Sequence, residues 1–295
     1  MNAGIRTIGA LAVVVGLLSP GFAAEPARKD GPRPVTRIGA VAYSPSSVTI
    51  FHGLTRYLNK NGLSSDYVLY SNYDSLVEAL ERSEVDIAWN TPLAHAKFHV
   101  QNQCSSQTLA MRDVDVGVRS ILVARADSKV KSLGDLAGKK LVLGSSQAAE
   151  ATVLPLHFLR KEGVDLSQVK IVSLDAEIDG EGNPCASPQH VLQALSEGRG
   201  DAGIITVDLW NRIKDEHIPK NSLKQIWISP PFSHCVFTAA AKFDKDRAQR
   251  FSELMQEMNP DERATMDVMR LEGARRWLPG SADGFKDLIE ALTQD

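Results

Sequence analysis

Short apolar runs, each followed by a stretch whose apolar residues recur at helical spacing, repeat along most of this 295-residue chain. That repetition restricts the fold more than any other feature, because parallel strands need a crossover between them and a helix is the usual crossover. Val35 to Tyr43 alternates as a strand, and Ser44-Pro45-Ser46-Ser47 supplies a turn and an N-cap before Val48, Phe51, Leu54 and Leu58. Tyr67 to Tyr70 reads as the next strand, and Tyr73 to Arg82 as a helix with Leu76, Val77 and Leu80 on one face. Val85 to Ala88 reads as a buried strand, followed by the turn Trp89-Asn90-Thr91-Pro92 and a helix to about Val100, with Thr91 as cap and Pro92 in the first position. Successive units of this kind predict an α/β protein built on a mostly parallel sheet with helices on both faces.

The pattern then begins again. Gln107 to Met111 and Val116 to Arg125 are strand-like, Ser132 to Lys139 is a short helix and turn, and Lys140 to Gly144 and Val169 to Leu174 are strands. A polar loop from Asp175 to Pro188, a helix from Gln189 to Glu197, the strand Ala202 to Thr206 and a helix from Val207 complete a second lobe. Gln225 to Ser229, Pro230-Pro231 and Cys235 to Ala241 carry the chain back. Asp244 to Asp295 is helical by pattern, with stripes through Phe251, Leu254 and Met258, through Met266, Met269 and Trp277, and through Phe285, Leu288 and Leu292. A helical tail of this kind is expected to pack on the first lobe.

Residues 1–24 carry Arg6, an apolar run from Ile8 to Leu18 and small residues at Ala23 and Ala24, the pattern of a secretory signal peptide. No Cys lies near the cleavage point to anchor a lipid, so the mature chain is expected to be exported and soluble. Removing one Arg takes the formal charge from −3 to −4, a balance that argues against a nucleic-acid partner. In an oxidising compartment two of Cys104, Cys185 and Cys235 can pair, and the sequence does not choose between the pairs. There is no G-x-S-x-G, H-E-x-x-H or P-loop run, so no catalytic residues and no cofactor are expected and the chain is not read as an enzyme.

The stretch Gly144 to Thr152 poses the main chemical question. A strand, a small-residue turn and a helix N-terminus leave backbone N–H groups pointing outward, a natural anion site. Glu150, however, places a carboxylate in the first helical turn, where it can meet those donors itself. A ligand role and a dipole-stabilising role both stay open. His95 and His99 have the i, i+4 spacing of a metal pair but no Glu after His95 and no third ligand, so an exposed helix face is expected. His52, His157, His217 and His234 stand alone and receive no role.

Four phrases resemble the phosphate, phosphite and phosphonate solute-binding proteins of ABC importers: Val85-Asp86-Ile87-Ala88-Trp89-Asn90-Thr91-Pro92-Leu93, Val130 to Lys139, Gly198-Arg199-Gly200-Asp201-Ala202-Gly203 and Ser229-Pro230-Pro231. The resemblance implies a two-lobed type II periplasmic-binding-protein fold with two crossing hinge strands and a helical C-terminal tail. It places the crossings near Gly117 to Ala126 and Ile226 to Ala240, with residues 35–118 plus 235–295 as one lobe and 119–234 as the other. It also implies a monomeric periplasmic protein that passes a small ligand, a phosphate-type oxyanion, to a membrane ABC permease.

Carried over residue by residue, the ligand positions are Tyr43, Ser46 and Ser47 in the first-lobe loop, Trp89, Asn90 and Thr91 after the third strand, His190 and Asp208. Tyr43 and Trp89 are expected to face the cleft. The family's Ser-Thr-Ser-Gly run is represented here by Ala148-Ala149-Glu150-Ala151, so Ser145, Ser146 and Gln147 are the remaining donors and Glu150 sits among them. A second reading of the same fold has a hard cation, calcium or a lanthanide, held by Glu150, Asp208 and the loop acids Asp175, Glu177 and Asp179. A third has a partner or sensor domain that keeps the lobes without transport.

Overall fold

The computed structural model describes residues 35–175, 186–213 and 222–294. The first strands and helices follow the sequence pattern closely: β1 Thr36–Val41, α1 Ser47–Lys60, β2 Ser65–Tyr70, α2 Tyr73–Glu81, β3 Ile87–Asn90, α3 Pro92–Gln101 and β4 Ser106–Arg112. Caps start the helices where the side chains allow it. Asn72 accepts from Ser75 N–H at 2.8 Å before α2, and Thr91 accepts from Ala94 N–H at 3.3 Å before α3. Loss of one such cap costs about 1 kcal/mol. Thr91→Ala is therefore expected to lower stability by about that amount in urea unfolding, while Thr91→Ser leaves it nearly unchanged.

The chain then leaves for a second sheet: β5 Ser120–Arg125, β6 Lys140–Leu143, α4 Leu154–Lys161, β7 Lys170–Ser173, α5 Pro188–Ser196, β8 Ala202–Thr206, α6 Val207–Arg212 and β9 Leu223–Ile228. It returns through β10 Val236–Ala240 and ends with α7 Lys245–Glu257, α8 Met266–Leu271, β11 Trp277–Pro279 and α9 Lys286–Thr293. The first sheet runs in the order β11, β4, β10, β3, β1, β2, and the second β7, β6, β8, β5, β9. Both are mixed rather than mostly parallel. β10 lies antiparallel between β3 and β4, and β5 antiparallel between β8 and β9. β5 and β10 each follow a crossing, and a strand that arrives from the other sheet enters from the opposite end; β11 adds an antiparallel pairing with β4 at the edge.

The two crossings run side by side. Val118 and Phe232 form an antiparallel bridge, with Phe232 N–H donating to the Val118 carbonyl at 2.9 Å. Ser229 N–H donates to the Ser120 carbonyl at 2.9 Å, and His234 N–H to the Asp115 carbonyl at 2.8 Å. The C-terminal region departs from its helical reading at β11, where Trp277 pairs with Arg112 in the first sheet. Three residues are too few for either period to register, and Trp277 fits the preceding helical stripe equally well. The tail also reaches further than expected. Leu288 of α9 packs in one apolar cluster with Leu93 and Ala96 of α3 and with Leu154 and Phe158 of α4, so the last helix touches elements from both sheets.

Candidate functional site: a charged relay at the crossings

The turn that follows β6 is built on a central strand of the second sheet. Its Ser146 N–H is taken by both carboxylate oxygens of Asp175, each at 3.0 Å, and Ser145 Oγ accepts from Gln147 N–H at 3.2 Å. The Ser146 hydroxyl and backbone bonds hold the Asp175 carboxyl below the usual carboxylate range against a smaller burial effect. The N–H of Ser146 is thus already filled by an acid, but by Asp175 rather than by Glu150. Gln147 is exposed, Ser146 is exposed and Ser145 is half-buried.

Glu150 is directed elsewhere. It lies in a wide turn, Ala149–Val153, that precedes α4, and its carbonyl accepts from Ser120 Oγ at 2.6 Å. Its carboxylate Oε2 stands 3.3 Å from Nε2 of His234, on the returning crossing. The other ring nitrogen of His234 is 3.2 Å from Asp115 Oδ1 on the outgoing crossing. Both nitrogens face carboxylate oxygens, the arrangement of an imidazolium donating twice. Burial alone would lower the His234 pKa; Cys235, Asp115 and Glu150 around the ring hold it well above the usual histidine value instead. Burial likewise opposes ionisation of Glu150 and Asp115, yet the bonds and charge of His234, joined for Asp115 by Arg112, keep both below the usual carboxylate range.

The relay continues into the first sheet. Arg112, at the end of β4, grips Asp115 with Nε at 2.5 Å and Nη2 at 2.9 Å. Its Nη1 donates to the Glu272 carbonyl at 2.8 Å and to Glu272 Oε2 at 3.1 Å. Tyr43 Oη donates to Glu272 Oε1 at 2.5 Å. Burial raises the Glu272 pKa, with Tyr43 and Arg112 offsetting only part of it. An alternating row of acid, base and hydroxyl thus runs from the loop after β1, across both crossings, to the turn after β6. Contacts from both sheets converge on His234.

The residues expected to contact ligand differ in burial and in partners. Tyr43 is 45% exposed and joins the relay. Ser46 precedes α1 without a side-chain cap bond, and Ser47 is buried with Oγ accepting from Ser44 N–H at 3.2 Å. Trp89 departs from its expected place at the cleft: it is buried against Phe237 and Trp277 at ring distances of 4.5 and 5.5 Å. All four residues of β3 are buried, so alternation sends Trp89 into the core beneath the sheet. Arg112 covers its ring at 5.3 Å. Asn90 is buried, and neither of its side-chain polar atoms has a partner among the described residues.

The histidines have distinct partners. His190, expected in the cleft, closes a capping box on α5: Ser187 N–H donates to its Nδ1 at 3.3 Å, and its own N–H donates to Ser187 Oγ at 3.4 Å. His234, given no role by the sequence, takes the central position. His95 is buried rather than on an exposed face; it bonds Thr238 Oγ1 at 2.9 Å, and burial pulls its pKa down to about 3. The acids of the hard-cation reading have separate partners. Glu150 meets His234, Asp175 meets Ser146 N–H, and Asp208, 78% exposed, bonds Arg212 at 3.1 Å. Glu177, Asp179 and Cys185 lie outside the described residues.

The model of the periplasmic substrate-binding proteins of phosphonate ABC transporters matches residues 38–281, most of the chain and all of this relay. The chain belongs to this family. A probable phosphite-binding protein of an ABC transporter from Prochlorococcus marinus is 21% identical over 270 residues, covering 87% of this chain and 88% of its own. The structure of a protein from the same organism with methylphosphonate bound covers 88% of this chain and 97% of its own, with a TM-score of 0.63 at 18% identity. A Xanthomonas citri protein solved with ATP bound matches with a TM-score of 0.68 at 15% identity, over 88% of this chain and 97% of its own. These structural likenesses support the two-lobed type II fold. Members of this family deliver solutes to membrane transporters, the role that the motif phrases imply.

Proposed function

We propose that the mature protein is a monomeric periplasmic solute-binding component that carries a phosphite- or phosphonate-type oxyanion to a membrane ABC permease. Residues 1–24 serve as its export signal, and residues 35–118 plus 235–295 close on residues 119–234 about the paired crossings. One observation carries the ligand class: His234, both of whose ring nitrogens face carboxylates, presents Nε2 to Glu150 on the second sheet's turn. An entering oxyanion takes the place of the Glu150 carboxylate on His234. Ligand contacts from both sides then favour the closed form over the open one.

Glu150 tunes this exchange, because a ligand must displace a bound anion before it gains the same bond. A charged hydrogen bond contributes about 1.5 to 3 kcal/mol, which is about 10- to 150-fold in affinity. Glu150→Gln is therefore expected to bind phosphite or methylphosphonate at least about 10-fold more tightly than the wild-type chain in calorimetric titration. Absence of binding to phosphite, methylphosphonate and phosphate in both proteins would remove the oxyanion reading. A weaker-binding Glu150→Gln would instead show Glu150 to be a direct ligand contact.

A further inference from the structure

Cys235 joins two relay residues, Asp115 and His234, in a set of donor atoms distinct from the His234 Nε2 that oxyanion binding uses. Nδ1 of His234 is 3.2 Å from Asp115 Oδ1 and 3.2 Å from Cys235 Sγ, and the three atoms all lie within 4.8 Å of one another. Tetrahedral zinc, with its bonds of about 2.0 Å to nitrogen and oxygen and 2.3 Å to sulfur, spaces such ligands about 3.3 and 3.5 Å apart. The observed 3.2 Å separations fall about 0.1 and 0.3 Å short of these. The set is mixed nitrogen, oxygen and sulfur, which suits a borderline divalent transition metal rather than a hard cation. The geometry points to a zinc-class metal site formed by Asp115, His234 and Cys235, with Glu150 as its orienting carboxylate.

Glu150 supports this assignment independently of the three ligands. Its Oε2 at 3.3 Å from Nε2 holds the proton on that nitrogen, so loss of the Nδ1 proton presents the Nδ1 lone pair to Asp115 and Cys235. A carboxylate behind a metal-bound histidine is the common outer-shell arrangement. Arg112 fixes the Asp115 carboxylate with Nε on Oδ2 and Nη2 on Oδ1. On binding, the Nδ1 proton and the Cys235 thiol proton pass to solvent, and the divalent charge replaces the imidazolium charge at the same point. The other candidate cluster among the described residues, His157 with Asp287 and Glu290, is already bridged by the Lys161 ammonium at 3.1 and 2.9 Å from the two acids.

Titration of the reduced, metal-free mature protein with cobalt(II), without any oxyanion, tests the site. One equivalent is expected to give a thiolate-to-cobalt charge-transfer band and the intense visible bands of a four-coordinate ion, both removed by zinc. Cys235→Ser is expected to lose the charge-transfer band while keeping its fold by circular dichroism, and Cys104→Ser to keep it. Glu150→Gln is expected to retain one equivalent with affinity reduced about 10- to 100-fold. No charge-transfer band, a band that survives in Cys235→Ser, or a disulfide on Cys235 in the exported protein would each overturn the proposal. Phosphite titration in chelator reads the oxyanion reading separately, so either can fail alone.

Discussion

Arg112→Ala is expected to lower the melting temperature of the mature protein by about 10 °C. Arg112 holds two carboxylates whose side chains are only 2% and 3% exposed, Asp115 and Glu272, and it also donates to the Glu272 carbonyl. Removing one partner of a buried ion pair typically costs about 3 to 5 kcal/mol, because the remaining charge is left without compensation. Here two acids lose their guanidinium, though Asp115 keeps His234 and Glu272 keeps Tyr43, and Trp89 loses the cation over its ring. Arg112→Lys keeps the charge but not the two-pronged grip, so it is expected to recover only part of the loss. Calorimetric scans of the three proteins decide the matter. An Arg112→Ala protein melting within about 2 °C of wild type would show that the relay contributes little to the fold.

Gly284→Ala is expected to cost about 1 to 3 kcal/mol by overpacking and to disturb His234 from a distance. A β-carbon on Gly284 would stand 2.0 Å from Ser233 Oγ, 2.7 Å from its Cβ and 2.8 Å from its backbone nitrogen. Ser233 N–H also donates to the Gly284 carbonyl at 2.9 Å, so the returning crossing cannot retreat without losing that bond. Ser233 precedes the relay histidine directly, and its displacement moves His234 relative to both Asp115 and Glu150. Gly284→Ala is thus expected to weaken phosphite binding as well as lower the melting point. Adding Ser233→Gly removes the two closest contacts and leaves the backbone one, so the double variant is expected to regain part of the stability. Additive losses in the double-mutant cycle would rule out the steric account.

Much of the architecture was legible because helices and strands leave local periodic signals. Leu76, Val77 and Leu80 were assigned to one helical face and are all buried on α2. Thr91 and Pro92 were read as cap and first residue and occupy those positions in α3. The mixed sheets were not legible, since strand direction depends on which end of a sheet the chain enters after a crossing. β11 escaped because three residues cannot display a period. Within the site, the turn after β6 was recognised as an anion-binding geometry that the chain could fill with its own acid. Which acid fills it was not legible: Asp175 lies 29 residues from Ser146.

His234 marks the boundary most clearly. It stands in a Ser-His-Cys run with no spacing motif, and Asp115, its partner on Nδ1, is 119 residues away. The family resemblance points to His190, which lies in the first turn of α5 and takes part in its capping box. By itself the sequence determined two successive α/β lobes, the turn that presents Glu150 and the family phrases, because those depend on neighbours within a few residues. Only the tertiary structure decided where the Glu150 carboxylate points and which histidine meets it. Two crossing strands and a turn from the other sheet are brought together by pairing and burial, and no local residue pattern encodes that meeting.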